Sequence, residues 1–337
     1  MQRLVLHLLC LHMPRTSVPI TEHEDRVIAV LAGSPDDVGW LKVHEDAADT
    51  LENSRSKLKT PSAKELEHRE RRGFFPQEAV GESMGGGQSV RSLFLVNAGI
   101  NLAQVPGTLK STSKIVIDYV MRQACFIRIA GFQSGKPLQF TSHVKISYRC
   151  SSAAFSMWAP QLFKFYSDQL GKFYSHYPDI KKNFYNSIFA CCTFNFGPST
   201  VCFCHTDPGN LPFGWCAITA LGNFDSKRGG HLILWDLYLV IEFPPGATIL
   251  IPSASLHHGN TAIQAGETRY SFTQYTAGGV FRWVEQGFQK TTEWWKTLSK
   301  AERAMESERG KERWAMGVGL FSKLSSLQQA PNFDRVA

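Results

Sequence analysis

Two apolar periods divide the chain. Between Trp158 and Tyr177 the residues Leu162, Phe165, Tyr166, Leu170 and Phe173 recur at helical spacing, which predicts an amphipathic helix braced against a sheet. Ile115, Val116, Tyr119, Val120 and Ile127 predict an earlier core-facing helix over 113–130. From Phe189 onward the apolar positions alternate or form short continuous runs. Strands are predicted over Phe189–Phe196, Thr200–His205, Trp215–Leu221, His231–Asp236, Leu239–Phe243, Ala247–Pro252 and Arg269–Thr276. Turn sequences such as F-D-S-K-R-G-G and P-P-G-A separate them. Regular short strands of this kind fit a jelly roll. Glu293–Trp314 then returns to a charged helix. The predicted fold class is α+β with a mainly β core. Its expected form is a double-stranded β-helix (jelly-roll) barrel, braced by N-terminal helices and followed by a C-terminal helix.

Residues 1–80 read differently. They are polar and charge-mixed, and E-L-E-H-R-E-R-R at 65–72 suggests a short exposed helix or a solvated tail. The expected organisation is a poorly ordered extension over 1–80, one domain over 81–327 and a tail over 328–337. Glycine-rich G-E-S-M-G-G-G-Q at 81–88 is not followed by a Gly-Lys-Ser sequence, so it makes a poor phosphate loop. Met1–Met13 carries Arg3 and an apolar run broken by His7 and His12, a weak match to a signal peptide. No stretch approaches the length of a membrane helix. An intracellular protein is expected.

Composition adds a direction for the partner. The 337 residues carry a net charge of +7 with a pI near 9.0, which suits a polyanion such as DNA or RNA. Eight cysteines show no regular framework, as expected of reduced thiols. Cys202-x-Cys204-His205 has zinc-like spacing, yet in a strand Cys202 and Cys204 take the face opposite His205. Ordinary core thiols are therefore expected.

The chemistry concentrates between Cys204 and Tyr275. His205 and Asp207 stand two apart, so on extended chain they project to one side. His257 and His258 follow the β-rich run A-T-I-L-I-P and can supply a third ligand. His258 is preferred because it stands directly before Gly259-Asn260, although periodicity alone does not separate the neighbours. Two histidines and a carboxylate hold one face of an iron(II) ion and leave the other positions open. Eleven residues after His258 comes Arg269, with Ser271 on the same strand face; a guanidinium fork beside a hydroxyl suits the distal carboxylate of a dicarboxylic acid. His205, Asp207 and His258 as metal and catalytic residues, with Arg269 and Ser271 as co-substrate residues, point to a 2-oxoglutarate-dependent iron dioxygenase.

Longer runs carry a resemblance. W-C-A-I-T-A-L-G-N-F-D, G-G-H-L-I-L-W-D, P-P-G-A-T-I-L-I-P-S-A and R-Y-S-F-T-Q-Y-T-A-G-G-V-F-R-W-V, with a terminal R-W-A-M-G-V-G-L-F-S-K-L, resemble the basidiomycete fungal, transposon-associated branch of the TET/JBP dioxygenases. The likeness extends from about Gly81 to Leu327. It departs from the family pattern in extra blocks near 89–104 and 134–151, which are either real loops or unspliced intron. The resemblance implies Fe(II), 2-oxoglutarate and O2, and oxidation of the methyl group of 5-methylcytosine or a related 5-methylpyrimidine, with succinate and CO2 as co-products. It implies a nucleic-acid partner, DNA with 5-methylcytosine, and a nuclear location. A methylated base must leave its stack to reach iron inside a barrel. Related enzymes place a polar residue three positions after the metal aspartate, here Asn210, and an aromatic six after the arginine, here Tyr275, as substrate-binding residues. Asn195 and His231 are further cavity candidates. Two alternatives remain at this point: a protein or small-molecule hydroxylase of the same fold, and an inactive DNA-binding relative.

Overall fold

A computed structural model describes residues 9–12, 17–35, 39–55, 73–82, 151–180, 182 and 187–329. The helix expected over 113–130, the charged run 65–72, the block 89–104 and all but the last residue of the block 134–151 lie outside them.

Among the described residues, eleven strands form two sheets. The larger follows the order β2 (Val18–Thr21), β3 (Val27–Gly33), β9 (Thr248–Ile251), β6 (Cys216–Asn223), β11 (Thr268–Tyr275), β5 (Cys191–Asn195) and β4 (Gln77–Gly81). All its pairings are antiparallel. The smaller sheet runs β1 (Leu9–His12), β8 (Leu239–Glu242), β7 (Leu232–Leu234) and β10 (His258–Asn260). Only its β1–β8 pair is parallel. The architecture is thus mixed α/β with two mostly antiparallel sheets.

Alternation along the strands of the larger sheet decides what each face meets. Ala29 and Leu31 of β3, Cys216, Ile218 and Ala220 of β6, and Ile249 and Ile251 of β9 share one core with Leu232, Leu234, Leu239 and Ile241 of the smaller sheet. The opposite face is covered by helices. Val30, Ala32, Ala217 and Leu250 pack against α2 (Ser151–Trp158) and α3 (Pro160–His176) through Phe155, Trp158, Leu162 and Tyr166. Helix α1 (Trp40–Arg55) buries Ala47, Ala48 and Leu51 against Phe194, Leu221, Tyr270 and Phe272. Each leucine, isoleucine, valine or phenylalanine among them contributes roughly 1.5–3 kcal/mol when fully removed from water. On β5 and β11 the other alternate positions are polar: Thr193, Asn195, Arg269, Ser271 and Thr273 all turn to one cavity. The strands hold the core with one face and build a site with the other.

Beyond β11 come α4 (Gly278–Glu285), α5 (Thr291–Thr297), α6 (Lys300–Gly319) and α7 (Leu324–Gln328). The start of α6 carries a capping box between Ser299 and Glu302. The charged helix expected over Glu293–Trp314 is therefore two helices, α5 and α6. The expected single helix over Trp158–Tyr177 begins at Pro160 with α2 directly before it.

Two expectations need correction. Residues 1–80 do not all stand apart from the domain: β2, β3, α1 and most of β4 fall within them, and β3 pairs with β9 inside the larger sheet. The apolar run V-I-A-V-L-A at 27–32 is the signal, since it fills both cores at once. Thr200–His205 is not a strand of either sheet. Its backbone is held by alternative partners, with Cys202 N–H donating to Asn260 Oδ1 and His205 pairing antiparallel with His258.

Candidate metal and co-substrate site

His205 and Asp207 lie on the irregular segment after Thr200, and His258 begins β10. The His205–His258 bridge, with backbone hydrogen bonds of 3.1 and 2.9 Å, fastens that segment to the smaller sheet. Asp207 N–H donates to Ser253 O at 2.8 Å, tying the same segment to the turn after β9. The outcome is three side chains from two distant parts of the chain at one point. Asp207 Oδ1 is 3.9 Å from His205 Nε2, and its Oδ2 is 3.7 Å from His258 Nε2. The ligand atoms lie within 4.8 Å of one another, a grouping that can hold one metal ion.

Hydrogen bonding decides which ring nitrogens face that point. His205 Nδ1 is 2.7 Å from Phe203 O, and His258 Nδ1 is 2.9 Å from Leu256 O. A carbonyl only accepts, so each Nδ1 carries the proton and each Nε2 presents its lone pair. This is the arrangement in which a second partner orients a metal-bound imidazole. The side chains of His205, Asp207 and His258 are only 10, 11 and 5% exposed. A buried pair of imidazoles beside a carboxylate is a donor set that fits a divalent ion.

His257 takes the other direction. Its ring and backbone N–H both bond Asp236, and the side chain is 53% exposed. The geometry assigns the inward position to His258 and the surface pair to His257.

The triad lines a cavity of about 470 Å³, a normal size for a small-molecule site. Arg269, Ser271, Asn210, Tyr275 and Asn195 line it too, so of the residues named from the sequence for this pocket all but His231 and the alternative ligand His257 face it. His231 instead meets Thr261 Oγ1 at 3.2 Å. Arg269 is buried and donates through Nη1 to Thr200 Oγ1 and Thr200 O, at 2.9 and 3.2 Å. Its Nε is buried with no partner, and no carboxylate pairs with it among the described residues. Burial pulls the guanidinium pKa down to about 10, the nearby Cys202 opposing slightly. A buried cation with an open N–H fits an incoming carboxylate. Ser271 Oγ accepts from Asn195 Nδ2 at 2.8 Å, which leaves the serine O–H free to donate onward.

Asn210 and Tyr275 line the same cavity, Tyr275 on the strand face that carries Arg269 and Ser271. Asn210 Nδ2 donates to Ser253 Oγ at 3.0 Å, leaving its carbonyl as an acceptor. Tyr275 Oη accepts from Thr193 Oγ1 at 3.3 Å, and burial raises its phenol pKa. Sequence reading missed Thr200, Asn260, Thr193 and the β4 residues Gln77 and Ala79. Gln77 stands opposite Asn195 and Ala79 opposite Thr193 in the register of the sheet. No local pattern marks β4 as a wall of this cavity. Cys202 also lines the cavity and Cys204 is exposed, so neither is an ordinary core thiol.

The fold and site together define a mixed α/β chain with a two-histidine, one-carboxylate grouping and a buried arginine in a single cavity. No protein-family model and no curated protein matches the chain. Among solved structures it is similar to NgTET1 in complex with 5mC DNA, at 13% identity over 81% of this chain and 84% of that one, with a TM-score of 0.43. It is also similar to a viral collagen prolyl hydroxylase, vCPH from Paramecium Bursaria Chlorella virus-1, in its 2OG complex. There the identity is 17% over 32% of this chain and 70% of that one, with a TM-score of 0.21. No helix among the described residues is long and apolar enough to cross a membrane.

Proposed function

We propose that the chain is an Fe(II)- and 2-oxoglutarate-dependent dioxygenase that oxidises the methyl group of 5-methylcytosine, or a related 5-methylpyrimidine, in DNA. The observation that carries the reading is the coincidence in one cavity of two Nε2 lone pairs, one carboxylate and an unpaired buried guanidinium. The base specificity rests on the sequence resemblance to the TET/JBP enzymes, and the +7 charge agrees with a polyanionic partner.

His205 Nε2, Asp207 and His258 Nε2 hold the metal, and the two carbonyls behind the rings keep them from turning away. Arg269 binds the distal carboxylate of 2-oxoglutarate through its open N–H, with Ser271 donating a further hydrogen bond. The bound metal, 2-oxoglutarate and O2 supply the oxidising chemistry, in which a methyl C–H becomes C–OH while the co-substrate becomes succinate and CO2. Asn210 orients the polar edge of an extruded base and Tyr275 supplies an aromatic face.

Nucleoside mass spectrometry tests this. The chain is incubated with iron(II), 2-oxoglutarate, O2 and duplex DNA carrying 5-methylcytosine, beside a His205→Ala, Asp207→Ala double variant. Hydroxymethyl-, formyl- or carboxylcytosine that vanishes in the double variant is the expected result. Succinate formed without any base product would redirect the reading to a hydroxylase of another substrate.

A further inference from the structure

The mouth of the cavity has an aromatic rim that the chemistry above does not use. Gly73 and Gly259 bring three pieces of chain together there. A Cβ on Gly73 would lie 2.1 Å from Val201 O, so the segment 73–75 runs tight against 201–203. A Cβ on Gly259 would meet Cys202 O, Phe203 O and the Trp235 ring at 2.5, 2.8 and 2.9 Å. Phe75, Cys202 and Gly259 line the cavity, and their neighbours turn outward. Phe74 is 77% exposed, Phe203 43% and Trp235 36%. The Phe74 and Phe203 rings meet edge to face at 5.8 Å. Leaving large aromatic faces in water at the entrance to a site costs solvation free energy, which a ligand that covers them recovers.

Phe203 is also tied to the metal grouping, because its carbonyl accepts the proton of His205 Nδ1. Whatever stacks on this ring sits next to whatever enters the cavity. The chain is basic overall, with a net charge of +7. An aromatic platform on a basic chain is the chemistry that holds an unpaired polynucleotide, whose bases offer flat faces and whose backbone is anionic.

We infer that Phe74 and Phe203, with Trp235 beside them, form a stacking platform for the nucleotide next to the one that enters the cavity. The inference rests on the reading of the cavity as a nucleic-acid oxygenase site and adds how the flanking strand is held. An unpaired neighbour stacked here keeps the extruded base at the mouth and offsets part of the unstacking cost.

The test is fluorescence anisotropy with the full chain and two strands of equal length, oligodeoxythymidine and its abasic sugar-phosphate analogue. Wild type binds the base-bearing strand more tightly. Phe74→Ala and Phe203→Ala each weaken that binding about five- to tenfold, the low end of what one base–aromatic stack contributes. Both leave abasic-strand binding unchanged. Phe203→Leu keeps the apolar bulk, loses the π face and shows the same weakening. Matched melting curves exclude a folding defect, and Phe74 is too exposed for its loss to disturb the core. Unchanged oligodeoxythymidine binding in all three variants overturns the platform alone. Wild type that binds neither strand overturns the platform together with the nucleic-acid reading. Phe74-dependent binding of a proline-rich peptide, without any effect on DNA, assigns the rim to a protein partner and also overturns it.

Discussion

Replacing Arg269 by methionine should stabilise the chain without ligand while abolishing its response to 2-oxoglutarate. Burial pulls the guanidinium pKa from its ordinary value down to about 10. At ~1.4 kcal/mol per pH unit, that corresponds to roughly 3 kcal/mol of destabilisation. The folded-state pKa lies below the unfolded one, so the penalty is present in full at every pH below about 10. It fades only as the pH rises from there through the unfolded value. Against this, the variant loses the hydrogen bond to Thr200 Oγ1, worth about 1 kcal/mol. Thr200 O keeps its second donor, Asn260 Nδ2. A net gain of about 1–2 kcal/mol remains at neutral pH, read as a higher denaturation midpoint without ligand. Saturating 2-oxoglutarate with iron should then reverse the ranking. At a hundredfold excess over Kd, wild type gains about 2.7 kcal/mol and the variant gains nothing. A variant that is less stable than wild type without ligand, or that is still stabilised by 2-oxoglutarate, would refute the reasoning.

Three further outcomes follow from the same geometry. His258→Ala should lose iron, whereas His257→Ala should retain it and change stability by less than ~1 kcal/mol, because its partner Asp236 forms only a surface pair; metal analysis of both proteins decides. Asn260→Ala should cost about 2–3 kcal/mol by denaturant unfolding, since its side chain holds Cys202 N–H, Thr200 O and Thr261 O at once. Hydrogen exchange in that variant should rise first over 200–205. Tyr275→Phe should cost about 1 kcal/mol of stability by removing the acceptor for Thr193, and should lower kcat/KM for methylated DNA severalfold; loss of 2-oxoglutarate binding instead would place Tyr275 against the co-substrate.

The residues legible in the sequence are those whose meaning is local. His205 and Asp207 stand two apart and meet in the cavity although their segment is irregular rather than the expected strand, and Arg269 with Ser271 needed only the alternation of β11, which the structure has. Spacing leaves His257 and His258 open as alternatives, because adjacent residues after a turn can point either way; in the structure His257 pairs with Asp236 and His258 lines the cavity. Thr200 and Asn260 were invisible because their roles are hydrogen bonds across some sixty residues of chain. Gln77 and Ala79 reach the cavity only through the pairing of β4 with β5, more than a hundred residues away. β3 shows a different failure. Its apolar run was present in the sequence, but the charged residues around it set the reading of the whole segment.

The central claim is that one cavity holds iron through His205, Asp207 and His258 and 2-oxoglutarate through Arg269. Anaerobic titration of the purified chain with iron(II), then with 2-oxoglutarate, tests it most directly, with metal stoichiometry and visible charge-transfer absorption as readouts. The account predicts one iron per chain and an absorption band that needs both additions, absent in His258→Ala and absent in Arg269→Met despite bound iron. A folded wild-type chain that takes up no iron, or an Arg269→Met variant with the full band, would contradict it.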